Sequence, residues 1–301
     1  MTNSSERAPR NRTLLLTEEE TRIYKSHLGT SVLHGDAFGV LRTLETDSFD
    51  LLFADPPYNL TKRFGKESFT ASSLEAYEEW LDSWLRLCVP LLKATASVYI
   101  CGDWRSAAAI QRAGSRYFKL RNRITWERDK GRGAKANWKN ASEDLWYFTV
   151  SDDFKFNLDA VKQRRRVIAP YRENGRPKDW DETESGNYRD THPSNLWTDI
   201  TVPFWSMPEN TDHPTQKPEK LLAKIILAST NPGDLVLDPF AGSGTTAVVA
   251  KKLSRNFIAI ESDEQYCLLA AKRLDLAKND KSIQGFSDEV FWERNSFNKP
   301  R

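Results

Sequence analysis

The chain has 301 residues, enough to bury a full α/β core and to carry one catalytic domain with a smaller lobe inserted or appended. Its 44 basic and 42 acidic side chains leave a net charge of +2, so no global field argues for nucleic acid and any polyanion site must come from local clustering. Cys88, Cys101 and Cys267 stand far apart without a CxxC pair, the 4 histidines lack ligand spacing, and no apolar run approaches the ~20 residues that span a bilayer; these features argue against a disulfide framework, a bound metal and a membrane span, and for a soluble protein of the reducing cytoplasm.

Along the chain, residues 1–20 read as a polar tail. Short β-rich runs follow at Ser31–His34, Phe49–Ala54 and Ala96–Cys101, and again at Asp234–Leu237 and Asn256–Ile260. Between the second and third, Leu74–Leu92 carries Leu74, Tyr77, Leu81, Trp84, Cys88 and Leu91 at helical spacing, an amphipathic helix that would cover a sheet. Similar helical patterns occur at Glu219–Ala228, Thr245–Leu253 and Glu264–Leu274. Strands alternating with helices imply a doubly wound, mostly parallel α/β sheet with ligands at the strand carboxyl ends. Residues 128–208 are rich in charge, Trp, Asn and Gly and poor in periodicity except at Asp144–Val150, which resembles one more strand. The expected organisation is a main α/β domain over 21–127 and 209–280, an inserted, loop-rich region over 128–208, and a C-terminal tail over 281–301.

Two strand ends carry the chemistry. The buried-type run Asp50–Ala54 empties into Asp55-Pro56-Pro57-Tyr58, placing a carboxylate and a phenol on a rigid turn. Two prolines fix φ and remove two backbone donors, leaving carbonyls to accept hydrogen bonds; an ordinary strand-to-turn exit would use the same residues. The second run, Leu235–Leu237, leads into Asp238-Pro239-Phe240-Ala241-Gly242-Ser243-Gly244-Thr245-Thr246 and a helix. Glycines let a ligand approach the backbone, and the helix N-terminus offers unpaired N–H groups to an anion. No GK[ST] lysine holds nucleotide phosphates, and the spacing departs from GxGxxG, which disfavours NTP hydrolysis and a dehydrogenase. Glu261, followed by Ser262, closes the next strand, where a carboxylate can accept from both hydroxyls of a ribose.

DPPY after one strand and FAGSGTT after a later one resemble the β group of amino-methyltransferases that act on DNA, in which the catalytic motif precedes the cofactor motif, a circularly permuted order. The resemblance covers roughly Ser31 to Leu274. It implies an S-adenosyl-L-methionine-dependent enzyme that methylates the exocyclic amine of a base flipped out of double-stranded DNA. Asp55 and the Pro56 carbonyl would accept the amine hydrogens, localising the nitrogen lone pair, while Tyr58 stacks on the base. DPPY in that family accompanies adenine N6 more often than cytosine N4, so adenine is the expected acceptor and cytosine N4 the alternative. His213-Pro214-Thr215-Gln216-Lys217-Pro218 matches a family element that lines the cofactor pocket, giving His213, Thr215 and Lys217 as cofactor contacts, with Lys217 near the methionine carboxylate. Asp36 and Ala37, after the first strand, match the position that contacts the cofactor adenine, although Asp36 could equally be a helix N-cap. Pairing with a restriction endonuclease of the same specificity, and a monomeric or homodimeric state, are further implications. A DNA-binding protein with decayed catalysis is the rival of another class, against which Asp55, Tyr58, Gly242 and Glu261 stand intact.

Between Arg128 and Arg176, cations alternate with aromatics. Lys130, Arg132, Lys135, Lys139, Arg164, Arg165, Arg166 and Arg172 are the candidate DNA contacts, with Gly131 and Gly133 allowing a loop to follow a groove. A merely solvated charged face is the plain alternative.

Overall fold

The computed structural model describes residues 31–60, 62–64, 67–128, 136–167, 171–184 and 186–293; the expected tail at 1–20 lies outside them. Eight strands form the main sheet: Ser31–His34 (β1), Phe49–Ala54 (β2), Leu92–Gly102 (β3), Lys119–Glu127 (β4), Ser142–Thr149 (β5), Leu196–Trp197 (β6), Leu235–Asp238 (β7) and Asn256–Glu261 (β8). Their order across the sheet is β1-β8-β7-β2-β3-β5-β4-β6. All neighbours are parallel except on the two sides of β5, which runs opposite to the rest.

The alternation inside β2 explains why helices cover both faces. Leu51 and Phe53 face one apolar cluster, with Glu219–Ser229 (α4), Thr245–Lys252 (α5) and Glu264–Leu276 (α6). Leu52 and Ala54 face the other, with Ala37–Leu41 (α1), Leu74–Cys88 (α2) and Ala107–Ser115 (α3). β2 is buried along its whole length between β7 and β3, so it is rigid up to the residue before Asp55. The single acid inside it, Asp50, is compensated by Lys93 at 2.8 Å and Lys155 at 3.1 Å and accepts from the Leu235 amide.

The expected elements recur with shifted ends. α2 stops at Cys88 rather than Leu92, because Pro90 cannot donate a helical hydrogen bond and the chain tightens into a 3₁₀ turn over Val89–Leu91. α3 and β4 had no counterpart among the expected elements. β4 exposes much of its length and buries only Ile124 and Trp126, so its sequence lacks the apolar run of an interior strand.

The expected divisions at 128–208 and 281–301 do not follow the sheets. β5 stands inside the main sheet and is buried from Glu143 to Thr149. Gln163–Arg166 and Gly186–Thr191 instead build a second, five-stranded sheet, in which Val290–Trp292 pairs in parallel with Gln163–Arg166. Residues of the expected C-terminal tail therefore pack on this sheet, with Phe291 completely buried. No helix among the described residues is long and apolar enough to cross a membrane.

Candidate active site

At the carboxyl edge of the sheet a cavity of about 360 Å³ opens beside the point where strand order reverses. Its walls come from the chain after β1 (Asp36, Ala37), after β2 (Asp55, Pro56, Tyr58), after β7 (Asp238, Phe240, Ala241, Gly242, Ser243, Thr245, Thr246) and after β8 (Glu261, Ser262), and from the segment before α4 (His213, Thr215, Lys217). Gly244 alone of the expected cofactor contacts does not line it. It caps α5 with φ +76°, and a Cβ there would lie 2.5 Å from the Ala270 Cβ, so its glycine serves helix packing behind the loop. Sequence reasoning missed Phe38, Trp80, Glu143 and Tyr266, which also line the cavity.

The loop after β7 is fixed from several directions. Gly242 has φ +51°, and its missing side chain leaves room for His213, whose Nε2 would stand 2.9 Å from a Cβ. Its amide donates to Glu261 Oε2 at 2.7 Å, and the Asp263 amide donates to Glu261 Oε1 at 2.8 Å. Ser262 Oγ also donates to Oε1, at 3.5 Å, while Oε2 keeps a second lone pair for a ligand hydroxyl. Arg273, buried on α6, donates to Ser243 O at 2.9 Å and to Thr245 Oγ1 at 2.9 Å, and its other nitrogen reaches Glu219 at 3.1 Å. One guanidinium thus joins the glycine loop to the start of α4, and through it to the His213–Pro218 segment. Burial pushes Asp238 up to about 7 even though its carboxylate accepts from Thr246 and from the Phe240 amide. Asp36 is the N-cap of α1, accepting from the Gly39 amide at 2.9 Å, and still lines the cavity. Cap and wall are both its roles.

The other wall is a buried cluster of charges. Asp55 Oδ2 accepts from Lys217 Nζ at 2.6 Å, and the same ammonium lies 3.5 Å from Glu143 Oε2. Tyr58 donates to Glu143 Oε2 at 3.1 Å, and Arg128 donates to Glu143 Oε1 at 2.5 Å. Lys217, expected near a ligand carboxylate, is instead held between two of the protein's own carboxylates. Burial alone would lower its pKa, but Asp55 and Glu143 more than offset that and keep it protonated. For Asp55, burial outweighs the pull of Lys217 and raises the carboxyl above its ordinary range. Asp55 Oδ1 is buried and accepts no hydrogen bond among the described residues. Such an atom costs free energy unless a donor arrives from outside. The loop that carries it is anchored by Tyr77, whose hydroxyl donates to the Pro57 carbonyl at 2.9 Å.

The candidate DNA contacts divide. Lys130, Arg132 and Lys135, with Gly131 and Gly133, lie outside the described residues. Arg164 is engaged by both oxygens of Asp190 at 2.8 Å, Arg172 by Glu182 at 3.3 Å, and Arg165 by Glu293 at 3.5 Å. Arg166 and Lys139 are exposed and make no ion pair among the described residues. Acids brought near by the fold thus engage three of the five described cations, which a linear count of charge could not reveal.

The doubly wound sheet, a glycine loop after β7, an acid at the end of β8, and a catalytic-type turn that precedes both in sequence define a class, the α/β methyltransferases with permuted motif order. The chain belongs to the DNA methylase family, whose model matches residues 49–272; it is a family of enzymes. The DNA adenine methyltransferase YhdJ of Escherichia coli (strain K12) is 36% identical over 262 residues, covering 83% of this chain and 84% of that protein. The type II methyltransferase M.HpaI of Haemophilus parainfluenzae is 34% identical over 80% of this chain and 72% of its own length. Among solved structures, PvuII DNA methyltransferase (cytosine-N4-specific) shares the fold with a TM-score of 0.60 at 21% identity, over 81% of this chain and 86% of that one. The M1.HpyAVI–SAM complex has a TM-score of 0.54 at 25% identity, over 81% of this chain and 98% of that one.

Proposed function

We propose that this chain transfers a methyl group from S-adenosyl-L-methionine to N6 of an adenine flipped out of double-stranded DNA. The observation that carries the reading is Asp55 Oδ1, a buried acceptor with no donor among the described residues, on the cavity wall it shares with Pro56 and Tyr58. The cavity fits the cofactor by charge. Asp36, Asp55, Glu143, Asp238 and Glu261 line it against Lys217 and His213, a lining that suits a cationic ligand and would repel a pyrophosphate. When bound, S-adenosylmethionine supplies an electrophilic methyl group on a sulfonium.

Glu261 would accept from the ribose hydroxyls, the loop from Ala241 to Thr246 would receive the methionine carboxylate at the start of α5, and Asp36 with Ala37 would face the cofactor adenine. Asp55 Oδ1 and the Pro56 carbonyl would each accept one amine hydrogen, which localises the nitrogen lone pair and leaves Asp55 to take the proton released. Tyr58, tethered to Glu143, would stack on the flipped base. Residues 128–208 outside β5 and β6 would read the DNA, with Arg166 and Lys139 supplying phosphate contacts. A cytoplasmic setting, a partner endonuclease of the same specificity and a monomeric or homodimeric state complete the proposal.

The test is incubation of purified protein with plasmid and methyl-labelled cofactor, followed by nucleoside analysis. N6-methyladenine is the expected product. N4-methylcytosine would transfer the reading to the alternative acceptor, and no label in DNA would end it.

A further inference from the structure

Glu143 enters the proposed function as one acid among several on the cavity wall, but its carboxylate also joins both cations of the buried cluster. It sits 6% exposed near the start of β5, the one reversed strand, so the amino end of β5 lies where every neighbouring strand presents its carboxyl end. Three groups converge on its carboxylate: the Tyr58 hydroxyl at 3.1 Å, the Arg128 guanidinium at 2.5 Å and the Lys217 ammonium at 3.5 Å. With Asp55, these charged groups are two carboxylates and two cations, which sum to zero.

We propose that Glu143 is the charge-balancing positioning residue of the site: it offsets Lys217 and Arg128, so that Asp55 remains an acceptor and the cavity can admit a sulfonium cation. Without the Glu143 charge, Lys217 keeps Asp55 as its ion-pair partner among the described residues and Arg128 loses its own. The cluster then carries +1 before any ligand arrives, and the unshared Lys217 is drawn wholly onto Asp55, against the incoming amine. In the reaction, N6 forms a bond to the methyl carbon as the carbon–sulfur bond breaks, its electron pair stays on sulfur as a neutral thioether, and the N6 proton passes to Asp55. The positive charge thus moves from ligand to cluster. A cluster that begins neutral accommodates that proton better than one already at +1.

This inference rests on the S-adenosylmethionine reading, and its test separates the two. Binding is measured by calorimetry without DNA for S-adenosylmethionine, which is cationic at sulfur, and for S-adenosylhomocysteine, which is neutral there. In Glu143→Gln the first should bind about tenfold more weakly, the scale of one unit charge at several ångströms in a partly dry cavity, while the second changes less than about twofold. Glu143→Asp, which keeps the charge, should restore most of the ratio. Equal weakening of both ligands, or no change in either, would overturn the charge role, the former marking Glu143 as merely structural. Failure of the unsubstituted protein to bind either ligand would instead overturn the cofactor reading itself.

Discussion

Replacing Asp55 separates its chemistry from its structural part. In Asp55→Ala the amine loses its acceptor, and single-turnover methylation of a duplex oligonucleotide should fall by about 10²–10⁴. The same change removes the 2.6 Å partner of Lys217, whose side chain is only 8% exposed. Breaking a buried pair costs about 3–5 kcal/mol. Here Glu143 remains 3.5 Å from the ammonium and the Tyr58 ring 5.4 Å away, so the loss should sit near the bottom of that range, about 3 kcal/mol. Adding Lys217→Met takes away the stranded charge. The double variant should therefore be more stable than Asp55→Ala alone, with a coupling of about 2 kcal/mol in urea denaturation. S-adenosylhomocysteine should still bind Asp55→Ala within about threefold, since no interaction with a neutral thioether is lost. Retention of more than about a tenth of the rate, outside the range for losing an acid–base group, or strict additivity of the two substitutions, would refute the reasoning.

Gly244→Ala forces a Cβ to within 2.5 Å of the Ala270 Cβ at φ +76°; it should cost about 1–3 kcal/mol in thermal unfolding and weaken cofactor affinity through the displaced loop. Asp238 and Glu209 are both raised by burial to about 7, so their stabilising share is complete below the unfolded carboxylate pKa near 4 and is lost as pH rises through 7. Urea denaturation of the cofactor-free protein should accordingly show greater stability at pH 5.5 than at 7.5, and Asp238→Asn should flatten that slope. Arg166→Ala should lower DNA affinity and reduce the salt slope by about one. Arg164→Ala should instead lower the melting temperature, because its partner Asp190 then loses both hydrogen bonds; an unchanged salt slope in Arg166→Ala would mark the strand as a solvated face.

Asp55, Gly242 and Glu261 could be placed from sequence because each stands where a buried run meets a polar turn, and in a parallel sheet those ends share an edge. Glu143 could not. It follows an irregular stretch, and its relation to Asp55 depends on β5 entering the sheet backwards, which no local pattern of Ser142–Thr149 encodes. The basic residues failed for a related reason. Arg164 and Asp190 are brought together by the register of two antiparallel strands, so charge counted along the chain overstates what a polyanion would meet. Residues to 293 looked like a tail because Val290–Trp292 is too short to read as a strand, yet its partner lies more than a hundred residues earlier. Gly244 and its neighbour Gly242 read alike in the motif; their surroundings, a helix behind one and His213 beside the other, separate them.

Arg273 has a thermodynamic consequence for ligand capture. Because one buried guanidinium spans the glycine loop and the head of α4, neither arm can swing out without stranding a charge, so these two walls of the cavity are held by the protein itself. Capture then incurs little ordering entropy in these walls, and its heat-capacity change should match the ligand area buried, with no added contribution from their folding.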